Sequence, residues 1–124
     1  MVKILVLEDN VLSQDLLRSI LIPQGYEVVC VADGCSGLAQ IKEQQPDLVI
    51  SDIDMPRLNG LEVLRQLRLD SATAALPVIL CTSAEDDCYR RIAKKLNAVY
   101  ITKPFYPTAM LEVIAQQLSH YSEA

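Results

Sequence analysis

Five short runs rich in Val, Ile and Leu recur along this chain, and a longer amphipathic stretch follows each of them. The runs are Ile4 to Leu7, Val28 to Val31, Leu48 to Ile50, Val78 to Cys81 and Val99 to Ile101. None alternates strictly between polar and apolar residues, which is the pattern of strands covered on both faces. Between them, helical spacing links Leu12, Leu16, Leu17, Ile20 and Leu21, then Leu61, Leu64 and Leu67, then Tyr89, Ile92 and Leu96. A last helix is expected around Leu111 to Leu118. Strict β-α alternation leaves few architectures open. The expectation is an α/β fold, a doubly wound five-stranded parallel sheet with five helices on its two faces and right-handed crossovers.

Punctuation agrees with that division. Asn10 can cap the first helix and Gly25 can close it, with Pro23 reached only near its end. Pro46 and Pro77 fall just before strands, where a helix has to stop. Asn97 follows the fourth helical pattern, where Asn tolerates the left-handed conformation.

Length and charge narrow the function. At 124 residues the chain is one domain's worth, expected to be a single unit over 1–124 without an output domain. A net charge of −5 argues against nucleic-acid binding by the bulk surface. Arg90, Arg91, Lys94 and Lys95 cluster, and read most simply as a solvated helix face. No apolar run has the length of a membrane span and no leader is visible, so a cytoplasmic location without membrane contact is expected. Cys30, Cys35, Cys81 and Cys88 form no C-x-x-C pair, and no His completes a zinc site. Cys30 and Cys81 lie in strand-like runs, where a buried thiol acts as a small hydrophobe.

In parallel sheets of this kind, ligands bind at the carboxyl ends of the strands. Here the first strand ends in Glu8-Asp9 and the third in Asp52, followed by Ile53-Asp54-Met55-Pro56. The fourth ends in Thr82-Ser83 and the fifth in Thr102-Lys103-Pro104. If the first and third strands are neighbours, three or four carboxylates meet. Each pair would repel by about 4 kcal/mol at 4 Å and an effective dielectric near 20. Such a set protonates or recruits a cation, and Mg²⁺ suits one or two carboxylates plus phosphate oxygens. Singly, Glu8 or Asp54 could merely favour a helix start, Lys103 be a surface lysine and Thr82 a strand-end hydroxyl. Their common edge is what joins them: a carboxylate nucleophile, a cation and a hydroxyl serve phosphoryl transfer.

The segments VLEDN, PDLVISDIDMPRLNG, PVILCTS and YITKPF resemble the marker segments of bacterial response-regulator receiver domains, in order and over essentially the whole chain. The resemblance implies a flavodoxin-like, CheY-like sheet of strand order 2-1-3-4-5. It implies that Asp52 is the phosphoacceptor and that the metal site comprises Glu8 (through water), Asp9, Asp52 and the backbone carbonyl of Asp54, holding Mg²⁺. Thr82 and Lys103 would hold the phosphoryl oxygens, Tyr100 would be the aromatic switch, and the Lys103-Pro104 bond would be cis. The implied function is a phosphorylation-dependent signalling switch in a two-component or phosphorelay system. It is not an enzyme beyond its own phosphorylation and dephosphorylation. The donor would be a sensor histidine kinase or histidine phosphotransfer protein, since the sole histidine, His120, matches no motif and reads as an exposed helix residue. A downstream protein would dock on the fourth helix, fifth strand and fifth helix.

Some features depart from the commonest pattern. A carboxylate at Asp54 is one, and is expected to tighten metal binding and alter the acyl-phosphate lifetime. Asn97-Ala98-Val99 stands where many transcription-factor receivers carry Gly-Ala-Asp-Asp, and the last helix lacks their interface arginine, so that dimer is not expected. Ser83 is small, which leaves the acceptor accessible. An aspartyl-phosphate phosphohydrolase would place its Asp-x-Asp on the opening strand and need more chain. A flavodoxin-like cofactor binder would need a phosphate loop where Glu8-Asp9-Asn10 stand. A pseudo-receiver would not need Asp9, Asp52, Thr82 and Lys103 intact.

Overall fold

The computed structural model describes the backbone of residues 1–123 and the side chains of residues 1–119. The His120 side chain, expected to be exposed, lies outside the described residues. Five strands and five helices alternate: β1 (Lys3–Leu7), α1 (Val11–Leu21), β2 (Glu27–Val31), α2 (Gly34–Gln44), β3 (Leu48–Ser51), α3 (Gly60–Leu69), β4 (Val78–Thr82), α4 (Asp87–Lys95), β5 (Val99–Thr102) and α5 (Pro107–Glu123). All strand pairs are parallel, in the order β2-β1-β3-β4-β5. The expected fold and order are both observed.

Two apolar clusters sandwich the sheet. One packs Leu5, Leu7, Val49, Val78 and Leu80 against α2, α3 and α4; the other packs Ile4, Val6, Leu48, Ile50 and Ile79 against α1 and α5. Alternate residues of one strand serve opposite clusters, as the period of two requires. That is why β1, β3 and β4 read as continuous apolar runs.

Local chemistry sets the boundaries. Asn10, Asp33, Asn59 and Asp86 each accept a backbone N–H in the first turn of α1, α2, α3 and α4 respectively. Pro107 opens α5, where its missing donor costs nothing. Asn97 adopts a left-handed conformation (φ 57°) in the turn after α4, as its position predicted.

Three sequence expectations need adjustment. Gly25, with φ 90°, closes a short 3₁₀ extension over Ile22–Gln24 rather than α1 itself, because Pro23 tightens that last turn. Leu17, Ile20 and Leu21 are buried, but Leu12 and Leu16, on the same expected stripe, are exposed. Cys30 is only half-buried, because β2 is an edge strand, whereas Cys81 in β4 is fully covered. Among the described residues, no helix is long and apolar enough to cross a membrane.

Candidate functional site

Strand register builds the site. Leu7 of β1 pairs with Ser51 of β3, so the two strands finish level and release Glu8 and Asp52 side by side. The chain continues to pair for one more residue on each side. Asp52 N–H donates to the Leu7 carbonyl, and Glu8 N–H donates to the Val31 carbonyl, both at 2.9 Å. At the other edge Thr82 pairs with Thr102, and Lys103 N–H donates to the Thr82 carbonyl at 2.8 Å. Lys103 is thereby fixed just past β5, with its side chain directed back across the strand ends.

The charges converge there. Lys103 Nζ lies 3.2 Å from Asp52 Oδ2 and 3.4 Å from Glu8 Oε2. Oxygens of Glu8, Asp9 and Asp52 lie within 4.8 Å of one another, with Glu8 buried, Asp52 half-buried and Asp9 exposed. Asp54 is exposed and outside this carboxylate group, so three of the expected acids meet rather than four. Asp52 is held in orientation by its own loop, since Ile53 N–H and Asp54 N–H both donate to Oδ1, at 2.7 and 3.3 Å. Ile53 is buried and anchors that loop.

Electrostatics follow from the packing. Burial, and then the adjoining Asp52, push the Glu8 carboxyl above its ordinary value, while Lys103 pulls the other way. Burial by itself would lower Lys103, but the attraction of Asp52 and Glu8 outweighs it and the ammonium is held more firmly than usual. The Cys81 thiol behind the site is pushed up to about 12 by burial and stays protonated. Three carboxylates against one ammonium leave an all-oxygen donor set two charges short of balance. That set fits a hard divalent cation such as Mg²⁺.

Beyond the charges lies a chain of contacts toward α4. Thr82 is fully buried, and its Oγ1 accepts the Ala84 N–H at 3.3 Å. The Tyr100 hydroxyl donates to the Ala84 carbonyl, and the Arg90 guanidinium sits over the Tyr100 ring, 4.6 Å from its centre. Lys103-Pro104 is cis, as the resemblance implied.

Residues 4–115 match the family model of the response regulator receiver domain. The chain belongs to this family. It is 34% identical to the protein PilH of Pseudomonas aeruginosa, over 92% of this chain and 95% of that one. It is 33% identical to the polar-differentiation response regulator DivK of Brucella anthropi, over 93% of this chain and 94% of that one. A CheY-like receiver domain from Methanospirillum hungatei superposes with a TM-score of 0.93, at 27% identity, covering 99% of this chain and 98% of that one. Receiver domains are phosphorylation-dependent signalling switches. They accept phosphoryl groups rather than turning over free substrates, bind Mg²⁺ at an acidic pocket, and work through histidine-kinase or phosphotransfer partners and downstream effectors.

Two contributors to this receiver's site escaped the sequence reading. Gly60 approaches so closely that an added Cβ would fall 2.1 Å from the Asp52 carbonyl oxygen, and its N–H holds the Ile53 carbonyl at 2.9 Å. The glycine follows Asn59 at a helix start, which is a visible signal for a turn but not for this contact. Arg90 carries no sequence signal for stacking on a residue ten positions later.

Proposed function

We propose that this receiver takes a phosphoryl group onto Asp52 from a phosphohistidine of a sensor kinase or histidine phosphotransfer protein. The observation that carries this reading is the convergence of Glu8, Asp9, Asp52 and Lys103 at one sheet edge, with the Asp52 carboxylate held by two backbone donors. An Asp52 oxygen attacks phosphorus, the N–P bond of the donor breaks as the O–P bond forms, and the electron pair returns to the imidazole. Lys103 and the Thr82 hydroxyl hold phosphoryl oxygens. Glu8, Asp9, Asp52 and the Asp54 carbonyl would hold Mg²⁺, whose charge offsets that of the carboxylates and the incoming phosphoryl group. The same residues govern hydrolysis of the acyl phosphate, and the exposed Asp54 carboxylate tunes its lifetime.

On the donor side, a groove is lined by Leu16, Leu17, Ser83, Lys103 and Phe105, and α1 also exposes Val11 and Leu12. That apolar surface beside the acceptor supports docking of the donor's helix there. Phosphorylation draws Thr82 inward, Tyr100 follows, and the α4–β5–α5 face presents a changed surface to a downstream protein. The unit over residues 1–124 acts in the cytoplasm by protein contact. Borohydride trapping after treatment with acetyl phosphate and Mg²⁺ tests the assignment. Peptide mapping should find Asp52 alone reduced to homoserine; reduction at Asp9 or Asp54 instead would overturn it.

A further inference from the structure

Two adjoining depressions, of about 490 and 630 Å³, follow the seam between α2 and α3. Pro46, Asp47 and Leu76, just ahead of β3 and β4, line the second, which places it at the amino ends of the strands. Ligands of such sheets bind at the carboxyl ends, so the chemistry at Asp52 does not account for a groove here. Its floor is apolar, with Ile41, Leu67 and Leu76 buried. Leu69, at its lip, is 86% exposed. Among the described residues, the other exposed large apolar side chains, Met1 apart, lie on α1, in the turn after it or just before α5. Those helices pack on the opposite face of the sheet.

Lys42 of α2 and Asp70 after α3 line both depressions and so face one space from its two walls. Among the described residues neither forms an ion pair. Each has a local reason for its charge: Lys42 stands in the last turn of α2, and Asp70 Oδ1 accepts the Ala72 N–H at 3.0 Å. Lys3, Glu43 and Asp47 are the other charges beside the groove, so acids and cations are close to balance there. On α3, Arg65 is paired with Glu62 and Arg68 is engaged with backbone carbonyls. The wall beside Asp70 is preformed, since Thr73 Oγ1 donates to the Leu67 carbonyl at 2.7 Å and Arg68 donates to the Leu76 carbonyl at 2.8 Å. Docking on it needs little ordering.

We propose that the α2–α3 seam is a self-association face whose occupant is a second copy of this chain. A cation on one wall and an anion on the other make the face complementary to itself, whereas a partner of one charge would be repelled by one wall. With a two-fold axis lying along the seam, Lys42 of each copy meets the partner's Asp70. The same rotation brings Leu69 of each copy onto α2 of the other, beside half-buried Leu38, and covers its exposed surface. Exposed ion pairs contribute little on their own, so the apolar contact supplies most of the affinity and the charges fix the register. The resulting dimer is weak, with a dissociation constant in the micromolar range. It uses neither α1 nor the acceptor edge, and it stands independently of the receiver reading.

Sedimentation velocity of the full chain, from low micromolar to near millimolar concentration, is the test. The parent should pass from monomer to dimer across that range, and Leu69→Glu should stay monomeric throughout. Lys42→Glu and Asp70→Lys should each raise the dissociation constant by about tenfold or more, because symmetry places two like-charged pairs in the interface. Both reversals in one chain should restore it to within about threefold of the parent. Asp70→Asn, which keeps an acceptor for the Ala72 N–H, should weaken association less than Asp70→Lys. Ile22→Glu, at another exposed apolar residue beyond α1, should leave the dimer unchanged. A parent that stays monomeric at every concentration would overturn the proposal. So would a dimer indifferent to Leu69→Glu, or a double reversal no better than its single reversals. A dimer broken by Ile22→Glu and not by Leu69→Glu would place the contact on the opposite face and overturn it as well.

Discussion

β3 and β5 lie two places apart in one sheet and are built on different terms. Every residue of β3 is buried, with Leu48 and Val49 at 0% exposure, and its end delivers Asp52 into a frame of backbone hydrogen bonds. Every residue of β5 is only partly covered, and its Tyr100 is held by one hydroxyl contact and one cation over its ring. The centre of the sheet is packed for a fixed geometry, which in-line chemistry at a carboxylate needs. Its edge is packed loosely enough for a side chain to change position without disturbing the core. On the proposed reading, burial separates chemistry from readout.

Core truncations test that contrast most severely. Ile50→Ala in β3 should cost about 2–5 kcal/mol of stability in urea unfolding, from lost transfer energy and the cavity left behind. Ile101→Ala in β5 should cost less than half as much, since its surroundings are partly solvent. Equal costs would erase the distinction between centre and edge.

Lys103 spans the two regions, and its removal should be read against pH in the presence of a chelator. Glu8 has its folded value raised above 4.5, so its stability contribution is present below that pH and lost as pH rises through the folded value. Lys103, raised above 10.5, contributes below that pH and loses its contribution only as pH rises past its own folded value. In Lys103→Met, Glu8 loses the charge that restrains its shift. The gap between parent and variant should therefore widen as pH rises from about 4.5 toward neutrality. A gap independent of pH would contradict the ion cluster of Glu8, Asp52 and Lys103. The smallest effect belongs to Tyr100→Phe, which removes one hydrogen bond to the Ala84 carbonyl and should cost about 1 kcal/mol or less.

The same contrast explains what could be seen in the sequence. The buried strands announced themselves as apolar runs, and the capping residues Asn10 and Asn97 marked turns at the places they occupy. The acids and Lys103 were legible because β-α alternation sends every strand end to one edge. Edge features were less so. Cys30 looks as buried as Cys81, because a hydrophobic run does not state whether its strand has one neighbour or two. Leu12 and Leu16 keep helical spacing yet face outward, since a wide apolar stripe can exceed what the sheet covers. Arg68 carries no signal of its role in the sequence. Its guanidinium donates to the carbonyls of Leu76, Leu96 and Asn97, tying the start of β4 to the turn before β5. That contact spans 28 residues of chain and leaves no local pattern.

The receiver reading turns on the half-buried, backbone-framed carboxylate of Asp52, at the end of β3, as the place where phosphate arrives. Intact-mass spectrometry after incubation with acetyl phosphate and Mg²⁺, on the parent and on Asp52→Asn, tests it most directly. One phosphate adduct is expected on the parent, none without Mg²⁺ and none on the variant. An adduct that persists in Asp52→Asn, or a parent that takes none even from a cognate kinase, would contradict it.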